Sequence, residues 1–342
     1  MKHSIGIISS RSNLTESEEL DDIGVEAEWR TVAVAAAQHG ERLDRALADK
    51  VPEFSRSYLQ QLIELGLVSV NARMVKKTST RVKAGDVLVV ELRPTPQSQA
   101  FTPQPMALDV VFADAHILVI NKPAGLVVHP APGNWSGTLL NGLLAYDPAM
   151  ACVPRAGIVH RLDKDTSGLM VVARTRTAMD LLVKAIAARD VSRQYLACAH
   201  HPWVGAAKRT VDAPIGRDPR NRLRMAVVDL DAHSGKTAKT DFILLENGLD
   251  GCLVRCILHT GRTHQIRVHM ASLGHPLVAD QVYGGGIHAV MPRQALHAVH
   301  LSFVHPHTLE QQAFEAPLPA DFKALLHAWG LRYNPPNRVV NP

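Results

Sequence analysis

Residues 93–105 read RPTPQSQAFTPQP, four prolines among polar side chains, and they divide the chain. Proline fixes φ and carries no backbone N–H, so neither a helix interior nor a central strand runs through such a stretch. Its composition is that of a linker, and each flank must then bury a core of its own. A chain of 342 residues is long enough for both.

Upstream, residues 40–92 carry the signals of a compact unit. FSRSYLQQLIELG has an N-cap at Ser55, an apolar stripe of Leu59, Leu62 and Ile63, and a stop at Gly66. LVSVNARMV reads as strand, turn and strand, and VKAGDVLVVEL as a turn into a last strand. Before it, residues 1–30 hold seven acids and three bases, a net −4, which leaves +9 on the rest. An acidic, aperiodic leader has the composition of a disordered tail, and the basic body suits a polyanion.

Downstream, from 106 to 333, short strands mix with a few helices. Strands are predicted at 116–120, 168–173, 194–199, 240–245, 252–258 and 299–304. One helix is predicted over 178–189 behind Thr177, with Met179, Leu182, Val183 and Ile186 on its inner face. A second runs from near Thr263 to Gly274, with Ile266, Met270 and Leu273 on one side. Strands do not alternate regularly with helices, which argues for an α+β domain on a mixed sheet. Residues 334–342 form a short tail. No apolar run reaches the ~18 residues of a membrane span, and MKHSIGIISS lacks the pattern of a secretory signal. The expected location is the cytoplasm.

Metal chemistry has two footholds, and neither holds. In HRLDKDTSGLM (160–170), Asp163, Asp165, Ser167 and Gly168 match the opening of a calcium loop, but Arg174 stands where the bidentate Glu belongs. Cys252 and Cys256 share a strand face near His259, His264 and His269, without a CxxC pair or HExxH. Buried structural thiols are the simpler reading for these two, and Cys152 and Cys198 form no disulfide framework with them.

Three segments bear groups suited to catalysis. Asp163 sits in a polar turn between two apolar runs, flanked by Arg161 and Lys164, where a carboxylate stays ionised and can act as nucleophile or base. Tyr195 lies in the strand of VSRQYLACA, and Arg267 and His264 fall on one face of the segment GRTHQIRVHM. An aromatic ring, a carboxylate and a guanidinium suit a flat, anionic, nucleotide-like substrate. In the small unit, Arg56 and Gln60 stand one helical turn apart, followed by Lys76 and Lys77 on a hairpin. That is either an RNA-docking surface or an ordinary solvated face.

Residues 41–92 resemble the S4 RNA-binding module through ERLDRAL, SRS, LIELGLVSVN and AGDVLVV. Ala72 departs from it, standing where Gly usually follows Asn, and suggests a different turn geometry. NKPAGLVVHP, GIVHRLDKDTSGLMVVA, VSRQYLA, PIGRD with RMAV, GRTHQIRVHMASLGHPLVAD and RQALHAVHLSF occur in that order. Together they resemble the RluA/RluD-type pseudouridine synthases. The resemblance implies an S4 domain followed by a mixed, mainly antiparallel sheet with a central cleft, and the isomerisation of uridine in RNA after base flipping.

The same resemblance implies that Asp163 is the essential acid, that Tyr195 stacks on the base and helps remove the C5 proton, and that Arg267 pairs with the acid. Arg161 would fill the gap left by the flipped nucleotide, and Arg262 and His264 would join Arg56, Lys76 and Lys77 as RNA contacts. Arg193 in place of Lys, and Asp218 in place of His, depart from the usual pattern at substrate contacts. No metal or organic cofactor is implied, because the reaction is redox-neutral. The implied partner is large-subunit rRNA or the assembling large subunit, with no membrane and no obligate protein partner. A tRNA-directed or dual-specificity enzyme, or a non-catalytic RNA-binding assembly factor, are the alternatives.

Overall fold

The structure is a computed structural model that describes residues 28–92, 100–131 and 133–335. It divides into two units, one ending at Gln97 and the other beginning at Ser98. The leader through residue 27, residues 93–99 of the proline-rich stretch and the tail from 336 lie outside the described residues.

In the first unit the elements are β1 (Glu28–Ala33), α1 (Leu43–Lys50), α2 (Arg56–Glu64), β2 (Val68–Val70), β3 (Arg73–Met74) and β4 (Val87–Leu92). The strands form an antiparallel sheet in the order β1-β4-β2-β3. Leu43, Leu47, Leu59, Ile63, Leu88 and Val90 are fully buried between this sheet and the two helices. Ser55 caps α2 as expected, its Oγ accepting from the Tyr58 N–H at 3.3 Å. Glu28, Trp29 and Arg30, read as the end of the leader, instead pair with Leu92, Glu91 and Val90. Without them β4 would present an open edge.

The β2–β3 hairpin turns on Asn71 and Ala72, at φ +48° and +63°. Two positive φ angles make the ordinary two-residue hairpin turn, whose twist matches its strands. Ala72 therefore adopts the conformation that glycine favours, and the turn geometry is not altered.

The second unit contains β5 (Val110–Ala113), β6 (Ile117–Lys122), α3 (Leu139–Tyr146), β7 (Ser167–Ala173), α4 (Arg176–Ala188), β8 (Ser192–His200) and β9 (Lys208–Asp212). There follow β10 (Ile215–Arg217), β11 (Met225–Val227), β12 (Gly235–Lys236), β13 (Lys239–Asn247), β14 (Gly251–Leu258), α5 (Gln265–Ser272), β15 (Leu296–Val304), β16 (Gln311–Glu315) and α6 (Ala320–Ala328). Among the described residues, nine strands make one sheet in the order β5-β6-β7-β15-β8-β14-β13-β9, with β16 extending β15. Three short strands make a second, β11-β10-β12.

The large sheet is mixed and mainly antiparallel, with β7 and β15 running parallel. Their approach requires Gly168: at φ +116°, an added Cβ would lie 2.2 Å from the Ala298 carbonyl oxygen. One face of the sheet packs Met170 and Val172 on Leu139 and Leu143 of α3 and on Ile266 and Met270 of α5. The other packs Ile117, Val119, Leu169 and Val171 under Ala178 and Leu182 of α4. The alternation along β7 sorts these residues to opposite faces.

Two boundaries differ from the sequence reading. Helix α4 begins earlier, because Thr175 rather than Thr177 accepts the capping bond, from Ala178 N–H at 3.2 Å. Arg176, now inside the helix, pairs with Asp180 one turn on. The second half of the proline-rich stretch belongs to the domain: Ala100 is buried, and the Asn141 amide donates to the carbonyls of Ala100 and Thr102.

Candidate active site

The HRLD segment forms a turn that leads into β7, and it is tied down from within. His160 Nε2 accepts the Val171 N–H at 3.1 Å, and burial pushes this imidazole down to about 3, so it stays neutral. The Thr166 N–H closes the turn onto the Asp163 carbonyl at 3.1 Å. Lys122, at the end of β6, is 1% exposed and donates its ammonium to the carbonyls of Pro123, Leu126 and Lys164 at 2.7, 2.9 and 2.9 Å. It thereby joins the NKPAG loop to the turn that presents Asp163.

Arg267 comes from the first turn of α5, 104 positions away from Asp163 in sequence. Its Nη1 donates to Asp163 at 3.0 Å, while Nε and Nη2 hold both oxygens of Asp280 at 2.7 and 2.9 Å. The Tyr283 ring lies 5.1 Å from the same guanidinium. Desolvation lowers the pKa of Arg267, and the two carboxylates outweigh it, so the group is held charged. A buried ion cluster is tolerable when every partner is bonded, and here each of the three is.

His264 caps α5 from the left-handed region, at φ +57°, rather than lying on the helix face. Its Nδ1 is 2.9 Å from the Tyr283 hydroxyl, which accepts the Met225 N–H. Burial holds this imidazole below its ordinary pKa, consistent with a neutral acceptor. Ala279, beside Asp280, also has positive φ, at +61°. Strained backbone on both sides of Arg267 is of the kind found at functional sites.

Asp163, Tyr195 and Arg267 line one cleft of about 570 Å³. Tyr195, central in β8 between Cys256 and Ala298, supplies its floor together with Ile158, Leu162, Ile266 and Leu296. Arg155, Arg161, Arg189, Arg193, Arg262 and Arg267 line it as well, against Asp163 as the sole lining carboxylate among the described residues. Arg161 is exposed, whereas Arg193 is buried. Arg262 is anchored through Nε to the Thr237 carbonyl at 3.0 Å. The cleft has an apolar floor within a mainly polar, cationic lining, suited to a planar base on a phosphate backbone.

Not every expected residue is placed there. Arg56, Lys76 and Lys77 belong to the first unit. Lys76 and Lys77 are exposed after β3, but Arg56 and Gln60 both turn onto Asp44, at 2.8 and 2.6 Å, with Arg42 on the same carboxylate. Arg56 is thus engaged by a buried acid. Cys252 and Cys256 are buried in β14, with burial raising both thiols. Nearby, His269 bonds Thr240 and the Ala213 carbonyl, and His259 lies against Asp241. Asp218 caps its own turn, accepting from Arg224 and the Arg220 N–H. Asp280 and Lys122 were missed as candidates, although Asp280 ends one segment quoted for the family resemblance and Lys122 is second in another.

Two family models match the chain: the S4 domain over residues 41–88 and RNA pseudouridylate synthase over residues 116–272. It is 49% identical to the ribosomal large subunit pseudouridine synthase D of Neisseria meningitidis serogroup B, over 84% of this chain and 78% of that one. It is 47% identical to the protein of the same name from Xylella fastidiosa, over 90% and 94%. Among solved structures, human RNA pseudouridylate synthase domain containing 4 shares the fold, with a TM-score of 0.51 at 24% identity over 66% of this chain and 94% of that one. The chain belongs to the RNA pseudouridylate synthase family.

Proposed function

We propose that this protein isomerises specific uridines of large-subunit rRNA to pseudouridine, acting on the naked RNA or on an assembling subunit in the cytoplasm. The observation that carries the reading is the ion pair of Asp163 and Arg267 beside Tyr195 in one arginine-lined cleft. The two bacterial relatives, 49% and 47% identical over most of this chain, are both named for the large ribosomal subunit, which supports the choice of RNA. Among the described residues no helix is long and apolar enough to cross a membrane.

The reaction breaks the bond from ribose C1′ to N1, turns the base, joins C1′ to C5, releases the C5 hydrogen as a proton and leaves a proton on N1. A base must leave the helix to reach the cleft, and Arg161, exposed at its margin, is placed to occupy the gap. Asp163, bonded to the Arg267 guanidinium at 3.0 Å, is the group available to attack carbon or accept a proton. Burial pushes the Tyr195 hydroxyl up to about 12, away from the range of a base at neutral pH. Its ring lines the cleft where it would pack on the uracil, and Asp163 in the same cleft would receive the C5 proton. No redox change occurs, so the chemistry needs no electron carrier.

Large-subunit rRNA transcribed with tritium at uridine C5 tests the reading. Release of label to water by the wild type and none by Asp163→Asn is the expected result. Conversion of tRNA with rRNA left untouched would overturn the substrate. An inert wild type on rRNA, precursor particles and tRNA alike would leave an RNA-binding protein in place of an enzyme.

A further inference from the structure

The Asp163 turn has a second support, in the C-terminal part of the chain. Arg293 is 8% exposed, and its guanidinium makes five directed contacts. Nε and Nη2 grip Asp321 in the first turn of α6, at 2.7 and 3.0 Å. Nη1 donates to the Asp165 carbonyl at 2.8 Å and the Leu296 carbonyl at 3.2 Å, and Nη2 to Ser167 Oγ at 3.1 Å. Gln294 adds a bond to Thr166 Oγ1 at 3.3 Å, and Ser167 Oγ meets His297 Nδ1 at 2.9 Å.

With these contacts the carbonyls of Asp163, Lys164 and Asp165 each have a donor: the Thr166 N–H, the Lys122 ammonium and the Arg293 guanidinium. The backbone that follows Asp163 cannot shift without breaking a bond to Lys122 or Arg293, while the carboxylate itself is held by Arg267. A guanidinium held bidentately by a carboxylate is fixed in plane and direction, so Asp321 sets where the remaining donors of Arg293 point. Helix α6 does not depend on this pair for its place, since Phe322 and Leu325 are fully buried against Leu196, Leu253 and Val278.

We infer that Arg293, oriented by Asp321, is a positioning residue for the reaction: it fixes the downstream side of the Asp163 turn and so the approach of that carboxylate to the flipped nucleotide. The inference rests on the proposed isomerase activity. Reacting atoms must meet within a few tenths of an ångström, and a displacement of about 1 Å is enough to lower a rate ~10²-fold.

The test compares Arg293→Met, Arg293→Lys and Asp321→Asn with wild type by single-turnover tritium release, RNA affinity and thermal unfolding. We expect Arg293→Met to slow the chemical step about 30-fold with RNA affinity within twofold, and Arg293→Lys, which keeps one donor, to recover part of the loss. Asp321→Asn, which keeps the shape of the side chain, should show a smaller loss of the same kind. An unchanged chemical step at a temperature where all variants are folded, with only the unfolding midpoint lowered, overturns the inference and leaves a structural ion pair. A change confined to RNA affinity overturns it too. If Arg293→Met does not fold, the two conservative variants decide. A wild type without activity removes the functional reading itself, which is a different result from active variants.

Discussion

Arg267 holds Asp280 through two nitrogens and leaves the third for Asp163. The acid that aims the arginine is thus more deeply buried, at 1%, than the acid that would face substrate. Asp280→Asn should lower the rate of tritium release about 10²-fold while RNA affinity stays within twofold. Arg267→Lys should fare no better, because an ammonium cannot serve both acids in the planar geometry of a fork. Equal rates for wild type and Asp280→Asn would show that Asp280 does not aim the arginine.

Asp44 collects Arg42, Arg56 and Gln60 in the S4 unit and is itself fully buried. Desolvation raises its pKa, but the bonds from Arg42, Gln60 and Arg56 prevail and hold it well below the usual carboxylate range. The stabilisation is present above about pH 4 and is lost as pH falls through the depressed value. Asp44→Asn should destabilise this unit by roughly 3 kcal/mol at pH 7, with the difference from wild type shrinking in acid. Arg56→Ala should weaken stability more than RNA affinity, whereas Lys76→Ala with Lys77→Ala should do the reverse and flatten the salt dependence of binding.

Lys122 gives a pH dependence of the same sign in a higher range. Burial pushes its ammonium down to about 7, and the pull of Asp165 and Asp163 only partly opposes this. An unfolded lysine keeps its proton to about pH 10.4. Between those values the unfolded chain binds a proton that the native chain lacks, so stability rises with pH there, and the penalty is fully present below pH 7. In urea titrations from pH 7 to 9 the wild type should gain on Lys122→Met by up to about 1.4 kcal/mol per pH unit. A constant gap between the two would mean that Lys122 does not titrate in this range.

Ala72 occupies the left-handed region at φ +63°. Such a conformation costs an L-residue about 1 kcal/mol relative to glycine, less what glycine loses in unfolded-state entropy. Ala72→Gly should raise the unfolding midpoint of the S4 unit with no change in tritium release. A lowered midpoint would show that the alanine methyl packs in some useful way.

Six strands of the large sheet were legible because each alternates or runs apolar between turn signals; five of the predictions fall within observed strands and the sixth, 116–120, begins one residue early, while β5, β9 and β16 were not predicted. The three-residue strands β10 and β11 and the two-residue β12 carry too few positions to show a period. Thr175 and Thr177 offer equally good caps in RTRTAMD, and only the Arg176–Asp180 pair on the helix face separates them. At the site, Asp163, Tyr195 and Arg267 were identifiable as residue types in motif segments, but their meeting depends on which strands adjoin. The bond from Arg56 to Asp44 crosses from α2 to α1, a distance that no local spacing encodes. Asp280 was hidden for a simpler reason: it ends its motif, and what it does is visible only from the guanidinium it faces.

The turn at Asp163 is assembled from parts made at very different times. Lys122 leaves the ribosome before it, Arg267 after another 104 residues, and Asp321 later still. A nascent chain halted anywhere before Asp321 contains the acid without its full set of restraints. The restraints on one carboxylate are thus spread over long sequence separations, and the turn reaches its bonded geometry only when these distant segments have come together.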